Sequence, residues 1–262
     1  MSFKPDSPFV GDVISSDNIG DRRSGLTPSI LVMHYTGLPT IERAIEVLSD
    51  PVCEVSCHYV IDLDGRIIQM VAEAKRAWHA GLSSWHAETD INSMSIGIEI
   101  HNLGQHTGNT GYPDFPDRQM QAVERLSRDI ITRHHIKPCN VVGHSDIAPG
   151  RKTDPGEKFD WRRLHAAGIG HWVAPGPLDP ADQGYGPGDC SDAVGQFQLA
   201  LKSYGYGLKA SGILDDWTQT VVMAFQRHFR PARCDGRLDR STVATLERLL
   251  AALPGEMPPL VG

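Results

Sequence analysis

The chain has 262 residues, enough for one large domain or two smaller ones, with 40% apolar and 22% charged residues. No apolar run approaches the ~18 residues that a membrane span needs, so the composition describes a soluble globular protein without a transmembrane segment. A net charge of -7 leaves no basic face for phosphates and excludes nucleic acid as a partner.

Residues 1–25 carry scattered Gly, Asp and Ser with Arg22 and Arg23, and read as an N-terminal arm laid over the first domain. This stretch has no apolar core of the kind a secretory leader carries. The expectation is a cytoplasmic protein, or a periplasmic or wall-associated one if a leader has been removed. Five cysteines, an odd number in a chain of this size, favour a reducing compartment.

Ile30 to Tyr35 is an apolar run with the character of a buried strand, and it delivers His34 near its end. Thr40 is placed to cap a helix through Leu48, with Ile41, Ala44, Ile45 and Leu48 as its apolar stripe. A hairpin comes next, 58–62 and 66–71, turning on Leu63-Asp64-Gly65. Ser95 to Ile100 is a strand interrupted by one carboxylate, Glu99. Residues 104–117 form a long loop. Asp117 is predicted to cap a helix to His134, with Met120, Val123, Leu126, Ile130 and Ile131 inward. Val141-Val142 is a short strand, and a closing helix begins at Trp161. Strands alternating with helices give an α/β domain, 26–174.

A Pro/Gly-rich linker, 175–188, separates it from a second unit at 189–253 and a tail at 254–262. The segments 192–203, 216–229 and 239–250 each have an acidic residue near the start and helical apolar spacing, which predicts a small three-helix domain.

The stretch from Gly143 to Gly156, GHSDIAPGRKTDPG, has neither helical nor strand periodicity and reads as a shaped loop. It holds His144, Lys152 and Asp154. Folded back on itself and facing His34, it assembles two histidines and one carboxylate, a donor set for zinc with a position left open for water. Glu99 can then take a proton from water and pass it to a leaving amine, and Lys152 can stabilise an oxyanion. Spacing alone leaves the plainer readings open, a structural histidine at a strand end and a turn aspartate before Pro155.

Five ordered segments carry a resemblance. They are LVMHYT at 31–36, SCHYVID at 56–62, AWHAG at 77–81, SIGIE at 95–99 and the 143–156 loop. Together they resemble the zinc N-acetylmuramoyl-L-alanine amidases of the type-2 family, relatives of phage amidases and peptidoglycan recognition proteins. The resemblance implies a mixed β-sheet flanked by helices, Zn2+ held by His34, His144 and Asp154, Glu99 as catalytic carboxylate and Lys152 assisting at the carbonyl. It also implies hydrolysis of the amide between N-acetylmuramic acid, or its 1,6-anhydro form, and L-alanine in peptidoglycan or muropeptides. Residues 199–242 are similar to the three-helix peptidoglycan-binding domain appended to many wall hydrolases, and such a tethered module raises local concentration on a polymer.

His58, Trp78, His79, Asn92, Ser93 and Arg151 lie in or beside these motifs and are expected substrate contacts; for His58 and His79 a supporting or packing role is open as well. Trp85 either lines a cleft or fills the core. Cys53, Cys57 and His58 look like a ligand cluster, but Cys57 stands where a small buried residue suffices. His134 and His135 close a helix in solvent, and His101, His106, His165, His171 and His228 receive no role. The competing functional class is a catalytically inactive binding or sensing protein of the same fold, which typically lacks a zinc ligand; none is missing here. A third reading, a zinc hydrolase acting on a different amide, shares the mechanism. Oligomeric state is not encoded in any of these features.

Overall fold

A computed structural model describes residues 3–23, 25–106 and 111–253. The expected tail at 254–262 lies outside the described residues, as do small parts of the arm and of the 104–117 loop. The strands are β1 (Asp12–Val13), β2 (Ile19–Asp21), β3 (Ile30–Tyr35), β4 (Tyr59–Ile61), β5 (Ile67–Gln69), β6 (Lys75–Ala77), β7 (Ser95–Ile100) and β8 (Val141–Gly143). The helices are α1 (Ile41–Ser49), α2 (Ile91–Met94), α3 (Asp117–His134), α4 (His144–Ile147), α5 (Trp161–Ala166), α6 (Asp192–Tyr204), α7 (Asp216–Phe229) and α8 (Arg240–Ala251).

Six strands form one sheet in the order β1-β5-β4-β7-β3-β8. β4, β7, β3 and β8 are mutually parallel, β5 turns back antiparallel to β4, and β1 runs parallel to β5. The sheet is therefore mixed and helix-flanked, as predicted. Strand β3, between β7 and β8, is buried along its whole length, which is why it reads as a continuous apolar run instead of an alternating one.

The two faces are covered differently. Leu31, Met33, Ile96 and Ile98 pack under α3, through Met120, Val123, Leu126 and Ile130, and under α5, through Trp161 and Leu164. On the opposite face, α1 covers one side, setting Ile41 and Leu48 on Val60 and Ile68. The other side, Ile30, Val32 and Val142, is covered by α6, α7 and α8. Between these two covers the face stays open, and that gap is the site.

Several expectations change. The arm is not simply laid over the domain: it contributes β1 to the sheet edge and pairs β2 with β6. Arg22 runs inward from it, donating to the carbonyls of Glu73, Ser93 and Ser95 at 2.8–3.0 Å. Asp117 begins α3 instead of capping it, because its carboxylate is engaged by Arg163 and Gln121. The 143–156 loop contains one helical turn, α4, too short to show a stripe. His134 is not left to solvent but lies 2.7 Å from Glu73.

The largest change concerns the C-terminal helices. Trp85 is 1% exposed and lies edge-on to Tyr204 and Tyr206, so it fills the joint between the two parts and lines no cleft. Residues 175–188 join the parts without hanging free: Gly176 N donates to Thr245 Oγ1 at 3.0 Å, and Ser241 Oγ donates to Gly176 O at 2.7 Å. The three-helix unit is docked, sharing one apolar core with the sheet. Trp85→Ala is expected to cost about 3–5 kcal/mol and to shift a single calorimetric transition for the whole chain; two separate transitions, only one of them moved, would contradict the shared core.

Candidate functional site

Register sets the first two groups. His34 on β3 and Glu99 on β7 are direct partners in a parallel pair, and Glu99 is likewise paired with Val60 on β4. Residues in register on neighbouring strands project to the same face, here near the carboxyl ends of the strands, where crevices of open α/β sheets lie. β8 then leads directly into α4, whose first residue is His144. The chain returns through Asp154, which precedes a cis Pro155. The return is possible because residue 143 is glycine: a Cβ there would lie 2.8 Å from Pro155 Cδ.

These elements bring His34, His144 and Asp154 together, all buried, as the predicted ligand set. His34 Nδ1, His144 Nδ1 and Asp154 Oδ2 form a triangle with edges of 2.9, 3.0 and 3.0 Å. Among the described residues, this is the group whose donor atoms converge as a metal's would. Cys53, Cys57 and His58 form no such group; the Cys57 thiol is buried and donates to Tyr59 O.

The back side of the His34 imidazole fixes its tautomer. Ser95 Oγ donates its one proton to Ile91 O at 2.6 Å, so it must accept from His79 Nε2 at 3.0 Å. That leaves His79 Nδ1 as an acceptor for His34 Nε2–H, 3.0 Å away. His34 Nδ1 is consequently a bare lone pair facing the triangle. His144 Nε2 faces both Ala80 O at 3.2 Å and the Arg151 guanidinium at 3.3 Å. Two imidazole nitrogens and one carboxylate oxygen thus converge, a group that could hold a metal ion. A tetrahedral zinc with ligands at about 2.0–2.1 Å spaces them about 3.3 Å apart, so the triangle is such a face drawn in slightly.

The electrostatics agree. Burial first, then His144, pushes His34 down to about 4 against the pull of Asp154, so its imidazole is neutral at neutral pH. Burial would raise Asp154, but its two histidine neighbours, His144 first and then His34, outweigh it and hold the carboxyl well below its usual range. Glu99 goes the other way. Burial, then the charge of Asp154, raises it to about 8, with Lys152 pulling down. Its Oε2 is enclosed and has no hydrogen-bond partner among the described residues.

Glu99 and Lys152 line a cavity of about 490 Å³ together with His79, His144, Asp154, Trp78 and Arg151. Its far wall is α1, through Ala44, Val47 and Leu48. Trp78 and Arg151 are therefore placed where substrate contacts were expected. His58 and Asn92 lie off the cavity wall. His58 is fully buried; its Nδ1 accepts from Gly97 N at 3.0 Å and its Nε2 faces Lys75 O. Asn92 Oδ1 accepts from the amides of His79 and Ala80, so it holds the backbone behind the site. Ser93, 1% exposed, receives the amide of Arg23 on its hydroxyl and lies off the cavity wall. His79 borders the cavity, but both its ring nitrogens are engaged by His34 and Ser95. Sequence reading missed Ser95, whose place at the start of the strand that carries Glu99 was the only signal, and Asp146, an acid inside the ligand loop.

Comparison with known proteins places this geometry. Residues 24–157 match the family described as N-acetylmuramoyl-L-alanine amidase, and residues 190–246 match the one described as putative peptidoglycan binding domain. N-acetylmuramoyl-L-alanine amidase AmiD of Escherichia coli K12 is 40% identical over 230 residues, covering 84% of this chain and 82% of the relative. 1,6-Anhydro-N-acetylmuramyl-L-alanine amidase AmpD of Citrobacter freundii is 38% identical over 156 residues, 53% of this chain and 80% of its own. The structure of E. coli AmiD with the substrate anhydro-N-acetylmuramic acid-L-Ala-D-gamma-Glu-L-Lys superposes with a TM-score of 0.72 at 38% identity, covering 87% of this chain and 91% of that one. With its family match spanning the sheet and the convergent triad, the chain belongs to the N-acetylmuramoyl-L-alanine amidase family.

Proposed function

We propose that His34, His144 and Asp154 hold a zinc ion and that the chain hydrolyses the amide between the lactyl group of N-acetylmuramic acid, or its 1,6-anhydro form, and L-alanine of a muropeptide. The observation that carries this is the buried triangle of two imidazole nitrogens and one carboxylate oxygen. A zinc ion supplies Lewis-acid activation of water and of the scissile carbonyl. The substrate class rests on the family and on the muropeptide bound to the solved relative AmiD.

The protein's own groups do the rest. Glu99 faces the triad from the neighbouring strand with one oxygen unpartnered, so it can accept a proton from the attacking water. With its carboxyl brought to about 8 by burial and Asp154, and with Lys152 drawing it down, it is balanced near neutrality. A carboxyl so balanced can take the proton and return it to the departing L-alanine nitrogen. Lys152 borders the same cavity and offers a positive charge to the oxyanion of the tetrahedral intermediate. Trp78 and the α1 residues Val47 and Leu48 give the cleft an apolar wall, and Arg151 gives it a cation at the mouth that suits the carboxylates of a stem peptide.

Purified protein is expected to contain one zinc per chain, and removing it with a chelator is expected to abolish release of a new L-alanine amino terminus from anhydro-muropeptide. Glu99→Gln is expected to retain zinc and lose about 10²–10⁴-fold in kcat. Absence of zinc, or wild-type cleavage by the Gln variant, would sink the assignment; zinc binding without any cleavage by the wild type would favour the binding or sensing class.

His79 reaches His34 only because position 97 is glycine, where a Cβ would lie 2.6–2.8 Å from the His79 ring. Gly97→Ala is therefore expected to displace the ring and weaken zinc binding at least ~10-fold in chelator competition. An unchanged zinc affinity in the folded variant would show that His79 does not orient the ligand.

A further inference from the structure

Asp146 stands two residues after a triad histidine, and its carboxylate is 1% exposed. Its Oδ2 accepts from Gly143 N at 2.7 Å, closing the α4 turn on itself. Its remaining partners both come from the C-terminal unit: Tyr206, just after α6, donates its hydroxyl to Oδ1 at 2.7 Å, and His228 Nδ1 on α7 lies 2.7 Å from Oδ2. Neither donor is free to swing. His228 is stacked between Trp161 and Phe229, with ring centroids 3.8 and 3.9 Å away. Tyr206 is 1% exposed and packs against Trp85 and Phe225.

A single helical turn cannot hold its own geometry, since nucleating one costs more than its few hydrogen bonds return. The position of α4 is set instead by its anchors. On the cleft side, Ser145 N donates to Asp154 O at 2.9 Å, so the turn that carries His144 also holds the backbone of Asp154. On the other side the anchor is Asp146. A displacement there is passed to two corners of the triad at once.

We propose that Tyr206 and His228, in the part of the chain that resembles a binding module, are positioning residues for the metal-ligand turn and act on His144 and Asp154 through Asp146. This rests on the zinc reading above. It gives the C-terminal helices a function in catalysis independent of any polymer they bind.

The test uses the full chain. Tyr206→Phe keeps the packed ring and removes one donor; His228→Ala removes the other, and His228→Gln restores an N–H donor at that site. Zinc affinity by chelator competition, the visible spectrum of the cobalt(II)-substituted protein, and kcat and KM on anhydro-muropeptide are measured on samples with native near-ultraviolet dichroism. Expected are a ~10-fold or greater loss of zinc affinity for Tyr206→Phe and His228→Ala, a perturbed cobalt spectrum, kcat lowered with KM little changed, and recovery in His228→Gln. If both variants melt lower but keep wild-type zinc affinity, cobalt spectrum and kcat, the residues only stabilise and the proposal is overturned. Should the wild type bind no zinc, the failure belongs to the metal reading, and the two results are told apart on the first sample.

Discussion

Two imidazole nitrogens and a carboxylate oxygen, buried and brought within 3.0 Å of one another, form the constraint on which the structure depends. A chain holds such a group together only with rigid support from behind. Each histidine has that support. His34 leans on His79 and Ser95, and His144 on the carbonyl of Ala80. Parallel pairing of β3 with β7 and β8 makes the support rigid, and the carboxyl ends of these strands open onto the same crevice.

The cover over that face arises from the same need. A sheet face must be buried, but a substrate must reach its centre. The chain solves this with two separate covers, α1 on one side and the C-terminal helices on the other, leaving a cleft between. A three-helix unit of about 60 residues buries too little surface to be robust alone. Docking it on Ile30, Val32 and Trp85 lets it complete a core that the amidase part leaves unfinished.

Much of this was legible in the sequence, and the parts that were not share a cause. β3, the hairpin, β7 and α3 announce themselves through apolar runs, an Asp-Gly turn and a helical stripe, all local signals. The strands β1, β2 and β6 have two or three residues each and exist only through their partners. The α4 turn is equally short and is held from outside. At the site, His34, Glu99, His144, Lys152 and Asp154 were readable from ordered motifs, and the structure brings them around one cleft. For His58 and Asn92 the motif alone does not say which residues face the cleft and which hold the backbone behind it, and the structure puts both behind it. The Pro/Gly segment 175–188 reads as a free linker because Thr245 and Ser241, which pin it, lie more than 60 positions away.

Two carboxylates show how deliberately the site departs from the rest of the molecule. Burial pushes both upward. At Glu73 that push is overcome: Tyr59 donates at 2.6 Å, Arg133 at 2.8 Å, and His134 lies at 2.7 Å, so the group falls to about 2. At Glu99 nothing comparable is supplied. The nearest charges are Asp154, which raises it further, and Lys152, and one oxygen is left without a donor. The fold can plainly satisfy a buried acid, since it does so at Glu73. Glu99, half-buried on the cavity wall, keeps one enclosed oxygen without a donor among the described residues. An enclosed oxygen with its lone pairs open, in register with His34 and on the wall of the cleft, is what a group that must receive a proton in one step and release it in the next requires.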